Sequence, residues 1–230
     1  MTARPSPQQQ LLLRQGARAL ARAGLAHAFG HCSLRLSDDA LLVCAPMPMG
    51  LIVDELGAVV PIRGPLPSGV LGEVRVHQQI YARRSDVAAV CRIMPPSLMA
   101  LSTQNVTPRA RHGIGAYFAP APPLWPDPRL LRDDASAAAA AEMLGAAPAL
   151  VLRGNGAVVV ADNLEKAVTL SWFLEDAARV ETSVRASGFD PDAGVLSPAE
   201  AAARTVFEGG VVERMWRFLT QGDTESSAQE

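Results

Sequence analysis

Lysine and cysteine are both scarce in this 230-residue sequence. Lys166 is the only lysine, and the other twenty of the 21 lysine and arginine residues are arginines. Because an imine mechanism needs a lysine amine, Schiff-base chemistry would depend on Lys166 alone. The three cysteines, Cys32, Cys44 and Cys91, form no CxxC pair and lie among apolar residues. This pattern predicts reduced, structural thiols of an intracellular protein rather than a disulfide framework.

The sequence also lacks a long apolar run and a marked excess of charge of either sign. No run of 18 apolar residues occurs, so no membrane-spanning helix is predicted. The first ten residues, MTARPSPQQQ, are polar and are followed by no apolar signal core. The formal net charge is −2 and no basic stripe is present, which argues against a nucleic-acid partner. We therefore expect a cytoplasmic protein that binds neither nucleic acids nor membranes.

What is present is an ordinary globular composition, with 49% hydrophobic and 19% charged residues. Helix-like and strand-like stretches alternate and no repeat or long linker divides them, which predicts one α/β domain over residues 1–220. A polar tail, residues 221–230, is expected to be disordered. Residues 59–69 and 105–128 are rich in proline and are predicted as loops. Helices are predicted at 8–24, 72–84, 98–104, 129–145, 162–188 and 197–219, and strands at 32–37, 40–46, 86–94, 148–154 and 156–162.

Short motifs indicate where helices start and where the chain turns. Asp162 and Glu165 fit a capping box at the start of the long helix, and SPAE at 197–200 fits a second one. Gly188 fits the C-cap of the long helix. Between the last two strands, the GNG sequence at 154–156 is typical of a tight turn, because glycine adopts positive φ freely and asparagine tolerates it.

The stretch AAVCRIMPPS, residues 88–97, ends a predicted strand with two side chains that are unusual at such a position. Residues two apart on a strand point to the same face, so Arg92 and Met94 should project side by side. Pro95 and Pro96 then stop the strand. The strand end thus presents a guanidinium and a thioether together.

Three motifs, in order along the chain, resemble those of the class II aldolase/adducin family. The family's glycine loop, in the subgroup with Gly-His-x-Ser-x-Arg, resembles AGLAHAFGHCSLRL at 23–36. Its Glu-x-x-x-His helix and the strand that follows resemble GEVRVHQQIYARRSDVAAV at 72–90. Its Arg-Gly-His-Gly turn resembles LRGNGAVVVADNLEKAV at 152–168. The resemblance covers roughly residues 10–185. It implies a single-domain, three-layer α/β/α sandwich around a central, mainly antiparallel sheet. It also implies a homotetramer with pockets between subunits.

Members of this family typically bind a divalent metal ion through three histidines. Two form a His-x-His pair at a strand end, and the third lies in the Gly-His-Gly turn. The matching positions here are Arg92, Met94 and Asn155. Arginine stays protonated and does not ligate cations, and a thioether and a neutral amide are poor ligands beside that charge. The resemblance therefore implies that this chain has no family-type metal site and uses no cofactor.

The proton-transfer glutamate of the family is retained as Glu73, and we assign Glu73 and Arg92 as catalytic residues. Glu73 could transfer a proton, or could simply stabilise a helix N-terminus through the macrodipole. Arg92 could form a salt bridge with Glu73 that fills the vacated metal space, or could bind a ligand carboxylate and stabilise developing negative charge. A metal relocated to His31, Glu73 and His77 is a further, lower-ranked alternative.

Five further residues are assigned to ligand binding: His31, Ser33, His77, Met94 and Asn155. His31 and Ser33 belong to the glycine-loop motif and could bind a ligand oxygen. His77 lies one helical turn after the glutamate, so both can face the same side, although a buried, hydrogen-bonded histidine is the more common explanation. Met94 is most simply a gap-filler and Asn155 most simply a turn residue.

Other residues have weaker claims to a role. Arg35 could support the glycine loop. The segment TPRARHG, residues 107–113, holds two arginines and a histidine and is predicted as a solvated loop, with an anion-binding lid as the less favoured alternative. Lys166 is expected on an exposed helix face, which disfavours the imine route. Tyr117 and Trp125 could help to line a pocket between subunits.

Two functions are compatible with this site. The first is a carbon–carbon lyase that acts without metal on a small hydroxylated carboxylic acid, with Arg92 holding the carboxylate and Glu73 as acid or base. The glycine loop and the long helix predicted over 162–188 resemble those of the decarboxylase-type members more than those of the sugar-phosphate aldolases. The second is a catalytically inactive member that binds a ligand or regulates a partner on the same oligomeric scaffold.

Overall fold

Seven β-strands form one sheet at the centre of the computed structural model, which describes residues 4–225. In chain order they are β1 (His31–Arg35), β2 (Ala40–Val43), β3 (Ala58–Pro61), β4 (Ala89–Ile93), β5 (Leu124–Trp125), β6 (Ala149–Leu152) and β7 (Ala157–Ala161). Across the sheet their order is β3-β2-β1-β4-β7-β6-β5. Every neighbouring pair is antiparallel except β5 and β6, which are parallel. The predicted mainly antiparallel central sheet is confirmed.

Seven α-helices in the described part of the chain cover both faces of this sheet. They are α1 (Pro7–Arg22), α2 (Val74–Arg83), α3 (Pro96–Thr103), α4 (Asp134–Leu144), α5 (Leu164–Ala186), α6 (Pro198–Arg204) and α7 (Val211–Thr220). Helices α2 and α4 pack against each other on one face, while α1, α3 and α5 lie on the other, with α7 against α1 and α5. This is the predicted three-layer α/β/α sandwich.

Alternation of side chains along the strands separates two apolar cores. On β7, Val158 and Val160 pack toward α2 and α4, whereas Ala157, Val159 and Ala161 pack toward α1 and α5. Both sets are buried. A central strand with helices on both of its faces buries every side chain in this way.

Strand β4 follows the same alternation with one exception. Cys91 and Ile93 join the core beneath α5, and Val90 joins the core beneath α2. Arg92 takes the next position on the α2 side, directly opposite His31 on β1. A charged side chain therefore stands on a buried face of the sheet.

Two glycines hold loops against the end of β4. A Cβ on Gly30 would lie 3.0 Å from the Arg92 carbonyl oxygen, and one on Gly156 would lie 2.0 Å from the Ile93 carbonyl oxygen. Both residues also have positive φ, 135° and 79°. Glycine alone combines these conformations with so close an approach. The glycine loop before β1 and the turn between β6 and β7 consequently meet β4 beside Arg92, and the predicted turn at 154–156 is confirmed.

Two segments predicted as loops contribute strands at the sheet edges. The segment 59–69 begins within β3, which pairs with β2. Residues 105–128 contain β5, which pairs with β6, and a short 3₁₀ helix over Gly115–Phe118. Strand β5 has only two residues, which is too short for a periodicity to reveal. Strand β3 ends on Pro61, which an edge strand tolerates because one side of its backbone needs no partner.

The long helix α5 starts and ends differently from the prediction. Asn163 caps it by accepting the Lys166 N–H, so the predicted capping box at Asp162 is wrong. Asp162 instead forms an ion pair with the Lys166 ammonium, 3.0 Å away. At the other end Ser187 is the C-cap, and Gly188 follows it with a φ of 75°. Gly188 therefore lies one residue after the C-cap, whereas the prediction placed it at the C-cap itself.

Helix α4 starts later than residue 129, because the side chain of Asp133 caps it by accepting the Ser136 N–H. The SPAE capping box is confirmed at the start of α6. The single helix predicted over 197–219 is nevertheless two helices. Residues 205–210 separate α6 from α7 and include two successive glycines with positive φ.

The last described residues are bound to α1. Asp223 is 1% exposed, and its carboxylate accepts hydrogen bonds of 2.7–2.9 Å from Arg18 and Arg22. In contrast to the predicted disordered tail, residues 221–225 are thus held by ion pairs. Residues 226–230, the rest of that predicted tail, lie outside the described residues.

Two expectations from composition concerned membrane-spanning helices and the cysteines. Among residues 4–225, no helix is both long and apolar enough to cross a bilayer. Cys32, Cys44 and Cys91 are buried free thiols. Their burial in the sheet agrees with the structural role predicted for them.

Candidate functional site

Arg92 lies almost fully buried between the sheet and α2, with 2% of its surface exposed. Its Nη1 donates a hydrogen bond of 2.7 Å to the Ile93 carbonyl oxygen. Its Nη2 lies 3.6 Å from Oε1 of Glu73, and its Nε has no hydrogen-bond partner among the described residues. Burial lowers the pKa of Arg92, and the Glu73 carboxylate opposes that effect. Because arginine keeps its charge in proteins, a fixed cation occupies this space.

Glu73 stands immediately before α2, at its N-cap, and makes no side-chain hydrogen bond to the helix. Its side chain is 20% exposed, whereas that of Arg92 is 3% exposed. The predicted contact between Glu73 and Arg92 is present, but it is long and single rather than bidentate. The carboxylate therefore keeps free acceptor positions on its solvent side, where a ligand could approach.

A chain of hydrogen bonds links α2 to β1 behind Arg92. Ser33 Oγ lies 2.7 Å from His77 Nδ1 and 2.9 Å from the Tyr81 hydroxyl. All three residues are at most 3% exposed. Burial raises the pKa of Tyr81 well above its ordinary value, so its phenol keeps its proton. Ser33 and His77, both assigned to ligand binding from the sequence, thus contact each other.

His31 and His77 are adjacent, with ring centroids 4.7 Å apart. Burial, together with the nearby Arg92 cation, lowers the pKa of His77 to about 3. Burial, His77 and Arg92 lower the pKa of His31 well below its ordinary value. Both imidazoles are therefore neutral near pH 7. Neither is a fully satisfied core histidine, because both ring nitrogens of His31 and Nε2 of His77 have no hydrogen-bond partner among the described residues.

Met94 directly follows β4, Asn155 lies in the turn that meets the end of this strand, and both are partly exposed. The Met94 N–H donates a bond of 2.8 Å to the Leu25 carbonyl oxygen, and the Asn155 N–H donates one of 2.9 Å to the Leu152 carbonyl oxygen. The first bond joins the end of β4 to the glycine loop, and the second closes the turn. Both residues therefore stand at the rim beside the more deeply buried Arg92.

Tyr81 is the functional candidate that the sequence analysis missed. The signal was available in the spacing, because Glu73, His77 and Tyr81 recur every four residues along α2. Arg35 also differs from its prediction. Instead of the glycine loop, it supports the end of α2, donating hydrogen bonds to the Tyr81 and Arg84 carbonyl oxygens, and its guanidinium lies 4.9 Å from the Tyr81 ring centroid.

The residues present do not fit the divalent metal that the family resemblance implies. A guanidinium and a thioether stand where ligands would be needed, and arginine cannot ligate a cation. Within residues 4–225, no group of three or more His, Cys, Asp or Glu side chains is placed to hold a metal ion. This finding also argues against the relocated set of His31, Glu73 and His77.

The segment 107–113 is not an anion-binding lid. Arg111 forms an ion pair with Glu181 at 2.6 Å, and Arg109 forms one with Asp192 at 2.6 Å. Glu181 is fully buried on α5. The cations of this segment are thus used to fix it to α5 and the loop that follows.

Lys166 and the two aromatic candidates lie away from Arg92. Lys166 is partly buried rather than exposed, because it pairs with Asp162 and its ammonium lies 4.0 Å from the Phe207 ring centroid. Tyr117 lines a cavity of about 470 Å³ between α5, α6 and α7. Trp125 packs instead against the core beneath α2 and α4. A pocket between subunits that involves both residues stays a prediction.

Comparison with known proteins places these features in a wider group. Residues 12–182 match the family model described as Class II Aldolase and Adducin N-terminal domain. The chain is 29% identical over 191 residues to a 3,4-dihydroxyphthalate decarboxylase from Arthrobacter keyseri, covering 74% of this chain and 76% of that protein.

Two solved structures have the same fold. An L-fuculose-1-phosphate aldolase from Thermus thermophilus has a TM-score of 0.71 at 26% identity, covering 81% of this chain and 99% of that one. An L-fuculose 1-phosphate aldolase from Glaciozyma antarctica has a TM-score of 0.76 at 17% identity, covering 95% and 94%. At 17% identity, the second comparison bears on the fold alone.

Proposed function

Because this chain belongs to the class II aldolase and adducin family, whose members include aldolases and decarboxylases, we propose that it is a metal-independent carbon–carbon lyase acting on a small hydroxylated carboxylic acid. The observation that carries the proposal is the buried Arg92 guanidinium, 3.6 Å from the partly exposed Glu73 carboxylate. A fixed cation beside a titratable carboxyl group combines charge stabilisation with proton transfer.

The proposed reaction is a decarboxylation. The bond between the substrate carbon and its carboxylate breaks, CO₂ leaves, and the electron pair stays on the substrate carbon. The Glu73 carboxyl group donates the proton that forms the new C–H bond, and it regains a proton from solvent, to which its side chain is 20% exposed. Arg92 stabilises the negative charge that develops on the substrate, which is the role of an electrostatic catalyst in a dry site.

The similarity to 3,4-dihydroxyphthalate decarboxylase suggests the substrate class. We propose an aromatic acid with a hydroxyl group near the carboxylate. Its negative charge suits Arg92, and its oxygen atoms suit the neutral, unpartnered imidazoles of His31 and His77. The ligand would enter past Glu73, Met94 and Asn155, which are the partly exposed residues of the site.

A homo-oligomer is part of the proposal. Large apolar side chains remain exposed between residues 29 and 56, with Phe29, Leu51, Val53 and Leu56 each 61–69% exposed. Such side chains support self-association. Light scattering should give a mass of about four chains of 24.3 kDa. A mass of one chain would contradict this part of the proposal.

The second candidate is a catalytically inactive member of the family that binds a ligand. The observation that favours it is the Arg92–Glu73 ion pair itself, since the two groups could simply neutralise each other. This candidate also explains why metal-ligating residues are missing without any new chemistry.

One assay separates the two candidates. The purified protein is incubated with 3,4-dihydroxyphthalate after treatment with EDTA, and CO₂ release and formation of a dihydroxybenzoate are followed by chromatography. Turnover without added metal supports the lyase. Binding in calorimetry without turnover supports the inactive candidate, and the absence of both rejects this substrate class.

A further inference from the structure

Unpartnered polar atoms concentrate around Arg92. Of the eight buried side-chain nitrogen and oxygen atoms without a hydrogen-bond partner in residues 4–225, four belong to this site: Nδ1 and Nε2 of His31, Nε2 of His77 and Nε of Arg92. Buried polar groups are normally hydrogen-bonded, because leaving them unpaired is unfavourable. Their accumulation in one place points to a partner that is not part of the described chain.

The proton positions of this cluster follow from the hydrogen bonds behind it. The buried Tyr81 hydroxyl keeps its proton, and its hydrogen-bond partner is Ser33 Oγ at 2.9 Å. A buried phenol donates its proton where an acceptor is present, so Tyr81 donates to Ser33. The proton of Ser33 is then free to point to His77 Nδ1, 2.7 Å away.

Two tautomers of His77 fit this contact, because Ser33 Oγ can donate to Nδ1 or accept from an Nδ1–H. A nitrogen that accepts a hydrogen bond carries no proton, and a neutral imidazole has one N–H. In the tautomer in which Nδ1 accepts from Ser33, the proton of His77 is on Nε2. Nε2 is the unpartnered atom of this ring. In this tautomer His77 presents an N–H donor with nothing to receive it.

We propose that Nε2–H of His77, Nε–H of Arg92 and the ring N–H of His31 form a cradle for one anionic oxygen of the ligand, with Ser33 and Tyr81 as positioning residues that set the His77 tautomer. The two rings are 4.7 Å apart between centroids, and His31 is the strand partner of Arg92. The oxygen belongs to a carboxylate or an enolate of the substrate, so this inference rests on the proposed function.

The charges of the site favour an anion over a cation. Arg92 is permanently charged, and its proximity contributes to keeping both imidazoles neutral. Neutral imidazoles add N–H donors without adding positive charge that would need burial. The nearby acceptor, Glu73, lies toward solvent at 3.6 Å from Arg92 and leaves the inner donors free. Hydrogen-bond donors thus stand where a metal ion would otherwise polarise the substrate oxygen.

The tautomer is measured on the full-length protein without substrate. Long-range ¹H–¹⁵N NMR spectra of protein labelled at its four histidines distinguish N–H from bare nitrogen, and His→Gln variants assign the signals. We expect His77 to be neutral and protonated at Nε2 from pH 6 to 8. In Tyr81→Phe and Ser33→Ala, the His77 signals should shift toward a mixture of tautomers. The matched control is Tyr117→Phe, the only other tyrosine, whose hydroxyl donates to the Val206 carbonyl oxygen away from the site.

The anion is tested with 3,4-dihydroxybenzoate, and with the neutral 3,4-dihydroxybenzamide as its isostere. We expect the benzoate to shift the His77 Nε2–H and Arg92 Nε–H signals, and to bind at least tenfold more tightly than the benzamide. Arg92→Met should remove that preference while the circular dichroism spectrum stays native. Equal binding of the two probes, or no shift of either N–H signal, overturns the cradle.

The outcomes also separate this inference from the proposed function. A His77 proton on Nδ1 overturns the cradle even if the protein turns over substrate. The Nε2–H tautomer together with anion-selective shifts supports the cradle even if no substrate is turned over. Failure of the decarboxylation assay alone therefore bears on the lyase and leaves the assignment of the donors intact.

Discussion

His31 on β1 lies directly opposite Arg92 on β4, so a neutral imidazole and a permanent cation share one buried face of the sheet. A paired carboxylate usually explains a buried arginine. Here the nearest carboxylate, Glu73, is 3.6 Å away and partly exposed. Arg92 thus lacks a close carboxylate partner among the described residues, and the first predictions below start from this arrangement.

Replacing Glu73 by Gln should lower turnover of 3,4-dihydroxyphthalate by about 10²- to 10⁴-fold, because the amide cannot donate the proton that forms the new C–H bond. The ligand should still bind, because Arg92 is retained, whereas the unfolding midpoint should fall because the buried Arg92 loses its nearest carboxylate. Steady-state kinetics and calorimetry check this. The control is Glu142→Gln, the same change on the exposed side of α4. Equal rates for the two variants would remove Glu73 from the mechanism.

The free energy of unfolding should fall as the pH is lowered from about 6.5 toward 3, and His77 should be one cause. Its pKa is about 3 in the folded protein against an ordinary value of 6.5, so below pH 6.5 only the unfolded state takes up the proton. One such histidine costs about 1.4 kcal/mol per pH unit over that window, until the pH reaches the folded pKa.

Urea unfolding at several pH values measures this slope. In His77→Gln the stability should depend less on pH between 6.5 and 4 than in the wild type, whatever the change at pH 7. His27→Gln is the control, because His27 is exposed and has no buried partner to lose. Identical slopes in wild type and His77→Gln would contradict the burial of a neutral imidazole at this position.

A triple variant carries histidine at the three positions that match the family ligands: Arg92→His, Met94→His and Asn155→His. It should restore uptake of about one zinc ion per chain. The backbone geometry that supports such a site is retained, since the glycine loop and the 154–156 turn both meet the end of β4. Elemental analysis of the dialysed protein provides the count. Arg92→His alone is the control, and a triple variant that binds no more zinc than the wild type would show that the scaffold has also diverged.

Gly156→Ala should destabilise the protein by about 3 kcal/mol or more. Its φ of 79° is unfavourable for alanine, and its Cβ would lie 2.0 Å from the Ile93 carbonyl oxygen. Gly188→Ala is a matched control, because Gly188 has a φ of 75° but nothing within 4 Å of such a Cβ. It should cost only about 1–2 kcal/mol, the conformational part. If urea unfolding gives the two variants equal losses of unfolding free energy, the contact of residue 156 with β4 does not contribute to stability.

Asp223→Asn should lower the free energy of unfolding by about 3 kcal/mol, as expected when a buried ion pair loses one partner. Burial alone would raise the pKa of Asp223, but hydrogen bonds from Arg18 and Arg22 outweigh it and lower that pKa to about 2. Asp192→Asn removes an ion pair whose carboxylate is 85% exposed, and should cost less than about 1 kcal/mol. A small effect at Asp223 would show that α1 does not depend on this contact.

Much of the framework around the site could be predicted from the sequence. Three separated motifs indicated that the glycine loop, the Glu73 helix and the 154–156 turn converge on the end of β4, and they do so. The predicted contact of Arg92 with Glu73 is also present. The convergence was implied by the resemblance of the three motifs to the family, whereas the turn at 154–156 was predicted from glycine chemistry, which acts locally and is visible in one chain.

Other features depend on contacts that no local pattern encodes. The two edge strands β3 and β5 depend on hydrogen bonds from neighbouring strands that are distant in the sequence. The neutrality of His31 and His77 follows from burial beside Arg92, which requires β1, β4 and α2 to be packed together. The ion pair of Arg111 with Glu181 joins residues 70 positions apart, so a segment that looked like a free basic loop is in fact fixed.

The contacts of α1 with the end of the chain set an order of events during synthesis. Arg14, Arg18 and Arg22 lie four residues apart on one side of the first helix, and their acceptors are Asp223 and Glu225. While a ribosome is still making the chain, the helix has emerged but its carboxylates have not. The helix α1 therefore completes these ion pairs only after Asp223 and Glu225 have emerged, and a chain shortened to end before Asp223 would leave the three arginines without their carboxylate partners.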